Sequence, residues 1–136
     1  FSMGAYRAWM LSALTDKVKC GAAVCWMHTT DVQLSPTLGL KRHEEWANLI
    51  PGMRRWMDYP HIASIACPKP MLFINGSRDH LFPQPAVEKA FAEMHRVWDS
   101  QKVPANLQTE IWDMPHYCGP EVQQRVLKFL DEQLKR

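Results

Sequence analysis

Phe1-Ser2-Met3-Gly4-Ala5 opens the chain, and its reading decides what the rest can be. A serine just ahead of Gly4 and Ala5, at the start of an alanine-rich helix, has the layout of a nucleophile elbow. In that turn the serine sits between a strand and a helix with its hydroxyl clear of the sheet. The full G-x-S-x-G pattern needs a glycine before Phe1, and a strand must deliver the chain to Ser2. The sequence is therefore expected to be the second half of a larger fold, with upstream strands and an upstream oxyanion loop that it does not include. A serine at a helix start is by itself ordinary capping chemistry, so the reading depends on the elements downstream of it.

Downstream of Ser2, helical and strand-like segments alternate, the signature of a parallel sheet covered on both faces. Residues 4–15 read as a helix, with Ala5, Ala8 and Ala13 allowing close approach and Trp9, Leu11 and Leu14 packing. Residues 19–28, centred on Ala22-Ala23-Val24-Cys25-Trp26-Met27, form the unbroken apolar run of a fully buried strand. Met71-Leu72-Phe73-Ile74 is a second such strand, ending in the turn Asn75-Gly76-Ser77-Arg78-Asp79. A helix over 84–99 places Val87, Ala90, Phe91, Met94 and Trp98 on one face. Residues 107–112 alternate as an edge strand would, and Asp113-Met114-Pro115-His116 leaves its end. A closing helix over 120–134 lays Val122, Val126, Phe129, Leu130 and Leu134 along one side, with Glu121 where the helix dipole favours an anion.

The alternation breaks between 29 and 61, where Pro36, Gly39, Pro51, Gly52 and Pro60 punctuate two short helical stretches near 40–50 and 52–58. Trp46, Leu49, Ile50, Met53 and Met57 keep helical spacing there. A connection this long is either a cap that roofs a pocket or an excursion that packs on the main core.

Composition excludes several classes of function. The chain of 136 residues is 46% hydrophobic and 22% charged, with a formal charge of +2, the balance of a soluble globular protein. Its 16 Lys and Arg residues are scattered, paired only at Lys41-Arg42, Arg54-Arg55 and Lys135-Arg136. A nucleic-acid footprint needs a clustered stripe, so no such partner is expected. No apolar run approaches the ~18 residues of a membrane span, and no membrane partner is expected either. Cys20, Cys25, Cys67 and Cys118 have neither C-x-x-C spacing nor a dense pattern, which favours neither a zinc site nor a disulfide framework. Cys20 and Cys25 read as buried thiols. The histidines lack H-E-x-x-H spacing, and His43-Glu44-Glu45 reads as solvent-facing. No metal or organic cofactor is implied, and the compartment stays open.

Three stretches together carry a resemblance: Phe1-Ser2-Met3-Gly4, then Phe73-Ile74-Asn75-Gly76-Ser77-Arg78-Asp79 with Pro83 beyond it, then Met114-Pro115-His116 before a final helix. The sequence resembles the C-terminal half of an α/β-hydrolase over essentially its whole length. Within that superfamily it is most similar to the dienelactone-hydrolase and acetyl-xylan-esterase-like group. The resemblance implies an α/β fold and a serine esterase, with Ser2 as nucleophile, His116 as general base and then acid, and Asp79 orienting the imidazole. The backbone N–H of Met3 would form half of an oxyanion hole, the other half lying upstream. The chain order serine, acid, histidine fits this superfamily and not the two unrelated protease orders. Asp31, after the 19–28 segment, is the alternative acid, and His80 reads as a turn residue.

The expected substrate is a small-molecule or carbohydrate ester. Trp26, Trp46, Trp56 and Tyr117 are candidates for stacking on a sugar or aromatic acyl group, with burial in the core as the competing reading. Dienelactone hydrolases themselves use a cysteine nucleophile, so Ser2 argues against that activity. A prolyl-oligopeptidase-type peptidase shares the order and fold, but Ala5 stands where those enzymes usually carry a second glycine. A non-catalytic module of the same fold is the alternative outside enzymology. Residues 1–136 in isolation are expected to be inactive and to self-associate through an exposed sheet edge at 19–28.

Overall fold

The computed structural model describes residues 1–33 and 50–135. Three parallel strands, β1 (Gly21–Val24), β2 (Met71–Gly76) and β3 (Leu107–Trp112), lie in the order β1-β2-β3. Helix α1 (Met3–Leu14), the short α2 (Thr30–Gln33) and α3 (Tyr59–Ser64), and α4 (Gln84–Ser100) precede β3, and α5 (Pro120–Leu134) closes the chain.

The central strand organises the molecule. Every residue of β2 is buried, and its side chains alternate between two cores. Met71 and Phe73 join Trp9, Ala13, Tyr59, Phe91, Met94 and Trp98 on the side of α1, α3 and α4. Leu72 and Ile74 join Val24, Met114, Val122 and Phe129 on the side of α5. Each fully buried large apolar side chain contributes about 1.5–3 kcal/mol relative to exposure. A strand buried along its whole length, with Met71 to Ile74 all apolar, is thus the sequence imprint of helices on both faces.

Helix α4 buries the face that its periodicity predicts, Val87, Ala90, Phe91, Met94 and Trp98. Strand β3 is the half-exposed edge that its alternation predicts. Its outer residues are held to α5 by Arg125, whose Nε donates to Glu110 Oε1 at 2.8 Å and whose Nη2 donates to Gln108 Oε1 at 2.5 Å. Helix α1 ends at Leu14, and Lys69 Nζ donates to the Ser12 and Thr15 carbonyls at 2.8 and 2.7 Å. A cation on the last carbonyls completes the helix and complements its dipole. Contrary to the packing role expected for them, Leu11 and Leu14 point outward, 56% and 68% exposed. Leu134 at the end of α5 is likewise exposed.

The strand expected over 19–28 is only four residues long. Cys25 adopts φ 53°, which ends the extended run, although burial continues to Thr30. The excursion differs more. The helical stretch expected near 40–50, with Trp46 and Leu49, lies outside the described residues, as do Lys41, Arg42 and His43. Near 52–58 there is a 3₁₀ turn over Met53–Arg55, with Met53 buried and Ile50 and Met57 exposed. Residues 59–64, beyond the two helical stretches expected in the excursion, are helical although Pro60 falls among them. Asp58 caps α3 by accepting from Tyr59 N at 2.8 Å, and His61 Nδ1 accepts from Asp58 N at 2.8 Å. Proline is tolerated in a first turn, whose N–H groups have no intrahelical partner. Asp58 Oδ2 also accepts from Thr30 N and Oγ1 at 2.7 and 2.9 Å, joining the two ends of the excursion.

The outer edge of β1 meets one described partner, the N–H of Ser2, which donates to Val24 O at 2.9 Å. Among the described residues no helix is long and apolar enough to cross a membrane.

His28 is 1% exposed among Trp26, Tyr59 and Phe82, with ring centroids 5.2–5.4 Å away. Burial lowers its pKa from 6.5 to about 4. Between those values the unfolded chain binds a proton that the folded chain refuses. This contribution is therefore complete above pH 6.5 and is lost as pH falls toward 4, by on the order of 3 kcal/mol. Urea denaturation of wild type and His28→Phe at pH 7 and pH 4.5 checks this. The stability difference should move in favour of the variant on acidification, and an unchanged difference contradicts the account.

Candidate active site

Parallel pairing brings the C-terminal ends of all three strands to one edge, where ligands bind in open parallel sheets. Cys25 follows β1, the turn Ser77–Asp79 follows β2, and Asp113–His116 follows β3. Ser2 reaches the same edge through its hydrogen bond to Val24.

Ser2 has φ 52° and ψ −128°, a region that costs a non-glycine residue about 1–3 kcal/mol. The surroundings impose it. Ser2 N is tied to Val24 O, and Ser2 O accepts from Ala5 N and Tyr6 N at 2.8 and 3.1 Å as α1 begins. The chain thus turns sharply into α1 at Ser2, with the serine in a conformation that its neighbours hold. Met3 N–H is the first amide of α1 and donates to no other described residue. It stands at the positive end of the helix.

The turns after β2 and β3 are joined directly. Ser77 N donates to Trp112 O at 2.8 Å and Arg78 N to Met114 O at 3.1 Å. Arg78 Nε and Nη2 grip Asp113 Oδ1 and its backbone O at 2.7 and 3.0 Å. Gly76 is required at this crossing, because a β-carbon there would collide with the Met114 and Pro115 carbonyl oxygens.

These contacts bring the sequence-predicted Ser2, Asp79 and His116 together. His116 Nδ1 lies 2.7 Å from Asp79 Oδ2, and His116 Nε2 lies 2.9 Å from Ser2 Oγ. The Asp79 carboxylate is fully buried, and its Oδ1 accepts from Leu81 N at 2.9 Å. A buried carboxylate aimed at Nδ1 places the imidazole proton there, so that Nε2 is the acceptor facing the serine hydroxyl. Two rings that the sequence reading did not single out pack against the imidazole. Phe82 stacks on it at 5.9 Å with a 24° interplanar angle, and Phe1 lies tilted at 4.7 Å. Nothing in the spacing of these residues marks them; only the fold brings them to the histidine.

Cys25 is the other neighbour that sequence reasoning left in the core. It is 0% exposed, its N–H donates to Ile74 O at 2.7 Å, and its thiol donates to Tyr117 O at 3.6 Å. Burial, with the nearby Asp79 charge as a smaller cause, pushes the thiol pKa up to about 11, so it stays neutral.

The alternative acid Asp31 is elsewhere, in the first turn of α2, paired with Lys89. That pairing holds its carboxyl below the usual range. His80 is exposed. Of the stacking candidates, Trp26 is 2% exposed and packs against Tyr6, Trp9, Tyr59 and Phe82. It has no face free for a ligand, and its reading as a pocket residue is corrected to core. Trp56 is 78% exposed beneath the Arg55 guanidinium. It lines a cleft with Thr30, Asp31, Asp58 and His61 that includes none of Ser2, Asp79 and His116. Tyr117 is exposed beside His116, its ring lying directly on Gly119. Trp46 lies outside the described residues.

No family model matches the sequence. The chain is 31% identical over 100 residues to the "Putative hydrolase YtaP" of Bacillus subtilis, a match that covers 74% of this chain and 33% of that protein. Among solved structures it is similar to a carbohydrate esterase family 15 glucuronoyl esterase from Caldicellulosiruptor kristjansonii, with TM-score 0.71 and 13% identity over 96% of this chain and 41% of the esterase. It is also similar to the Pyrococcus furiosus esterase Pf2001, with TM-score 0.61 and 22% identity over 96% of this chain and 50% of that one. The chain thus spans about a third to a half of the length of these proteins. Its parallel sheet, its helices on both faces and these likenesses together show that the chain has the α/β-hydrolase fold.

Proposed function

We propose that this chain carries the nucleophile, base and acid of a serine esterase. The observation that carries the reading is the unbroken run of hydrogen bonds from Ser2 Oγ through His116 to the buried Asp79. Ser2 Oγ attacks the ester carbonyl as His116 Nε2 takes its proton, and Asp79 stabilises the imidazolium. The oxyanion that forms is met by Met3 N–H. His116 then protonates the departing alcohol, leaving an acyl group on Ser2. A water molecule attacks that acyl group by the same route, and the carboxylic acid leaves. No step calls on a metal or an organic cofactor.

A carbohydrate ester, with an acetyl ester as the simplest case, is the substrate class we favour. Support comes from the similarity of the sequence to acetyl-xylan-esterase-like proteins and from the carbohydrate esterase among its structural neighbours. An acetyl ester should be preferred over a proline-containing dipeptide amide.

The roles are tested by comparing Asp79→Asn with Asp31→Asn in the intact protein that contains this stretch, using p-nitrophenyl acetate. Asp79→Asn should lower kcat on the order of 10⁴-fold, because it leaves the imidazole in the wrong tautomer. Asp31→Asn, a change at an exposed ion pair, should stay within about threefold. The reverse pattern would move the acid to Asp31 and overturn the assignment.

A further inference from the structure

We propose that Cys25, Asp79 and His116 form a binding site for a borderline-soft divalent cation, zinc above all, and that its occupation switches off the Ser2–His116 pair. The cation site stands on geometry alone, whereas the switching rests on the esterase reading above.

One ligand atom from each of the three residues, a thiol sulfur, a carboxylate oxygen and an imidazole nitrogen, lies within 4.8 Å of the other two. Sulfur, nitrogen and a single carboxylate are donors for zinc and its neighbours, not for magnesium or calcium, which need several oxygens. Cys25 and Asp79 are 0% and 4% exposed. A divalent ion held by one thiolate and one carboxylate makes a neutral complex, and neutrality is what a buried site demands. The His116 side chain is 24% exposed and gives the ion a way in. Tetrahedral zinc would set the three atoms about 3.3–3.6 Å from one another, replacing the 2.7 Å contact between Nδ1 and Oδ2 and closing the longer separations by roughly 1 Å. Spacing in the sequence cannot reveal such a site, because each ligand comes from the end of a different strand.

The inhibitory effect follows from the tautomer. Nδ1 is the imidazole nitrogen on the Asp79 side, 2.7 Å from Oδ2. Coordinated there, it must be unprotonated, so the neutral ring carries its proton on Nε2. Nε2 faces Ser2 Oγ at 2.9 Å and can then only donate, leaving the serine without a base. The imidazole proton moves from Nδ1 to Nε2, the thiol proton passes to solvent, and no group is oxidised or reduced.

Cobalt(II), which takes tetrahedral sites in place of zinc, provides the test. Titrating the intact protein with Co²⁺ should produce a near-ultraviolet thiolate-to-cobalt band at one ion per site, and Zn²⁺ should displace it. Cys25→Ser should abolish the band, while Cys67→Ser should keep it. His116→Gln, at a less buried position, is the second variant should Cys25→Ser not fold, and should weaken binding about tenfold or more. Absence of the band in wild type, or its persistence in Cys25→Ser, overturns the site. In parallel, Zn²⁺ should lower p-nitrophenyl acetate turnover about tenfold or more, reversibly with EDTA. Turnover that ignores Zn²⁺ while the band forms overturns the switching. A band with no turnover even in metal-free protein upholds the cation site and counts instead against the esterase reading.

Discussion

The structure depends on the burial of β2 on both faces. A strand with no exposed residue must be flanked by other strands and covered by helices on each side, and its neighbours run parallel to it. Parallel register then leaves no choice about where the strands end. Cys25, Asp79 and His116 emerge at one edge, and the hydrogen bonds from Ser77 and Arg78 to the β3–α5 connection close the gap between acid and histidine. The geometry at Ser2 is thus a consequence of how the core packs, several residues below it.

Two unfavourable conformations sit at that edge. Ser2 and Cys25 both have positive φ, in a region costly to residues with a side chain. They lie on either side of the same contact: Ser2 N–H reaches Val24 O, and the next amide, Cys25 N–H, reaches Ile74 O. Ordered backbone hydrogen bonds and complete burial of the strands beneath offset the strain. Strain concentrated beside a polar run of serine, histidine and aspartate is the usual mark of a site shaped for chemistry.

Much of this was legible in the sequence where periodicity is strong. Helix α4, strand β3 and helix α5 begin and end within one residue of their expected limits, because each shows one face to a core and one to solvent. The unbroken run Met71–Ile74 could only be a central strand. The failures have physical causes. Pro60 reads as a breaker unless Asp58 is recognised as a cap two residues before it. Cys25 and Trp26 look like one more turn of strand, and the positive φ that ends β1 has no glycine to announce it. Ser2, Asp79 and His116 stand out in the sequence because each ends or begins an element in a recognisable order. Phe1 and Phe82, which pack against the imidazole, and Cys25 beneath it are ordinary apolar residues until the fold brings them there.

The central claim is that Ser2 is a nucleophile activated by His116. Its most direct test is labelling of the intact protein with a fluorophosphonate, followed by peptide mapping, with His116→Gln alongside. The account predicts a single adduct on the Ser2 hydroxyl that is lost in His116→Gln although the variant remains folded. An adduct on another residue, or no adduct on a folded wild-type protein, would contradict it.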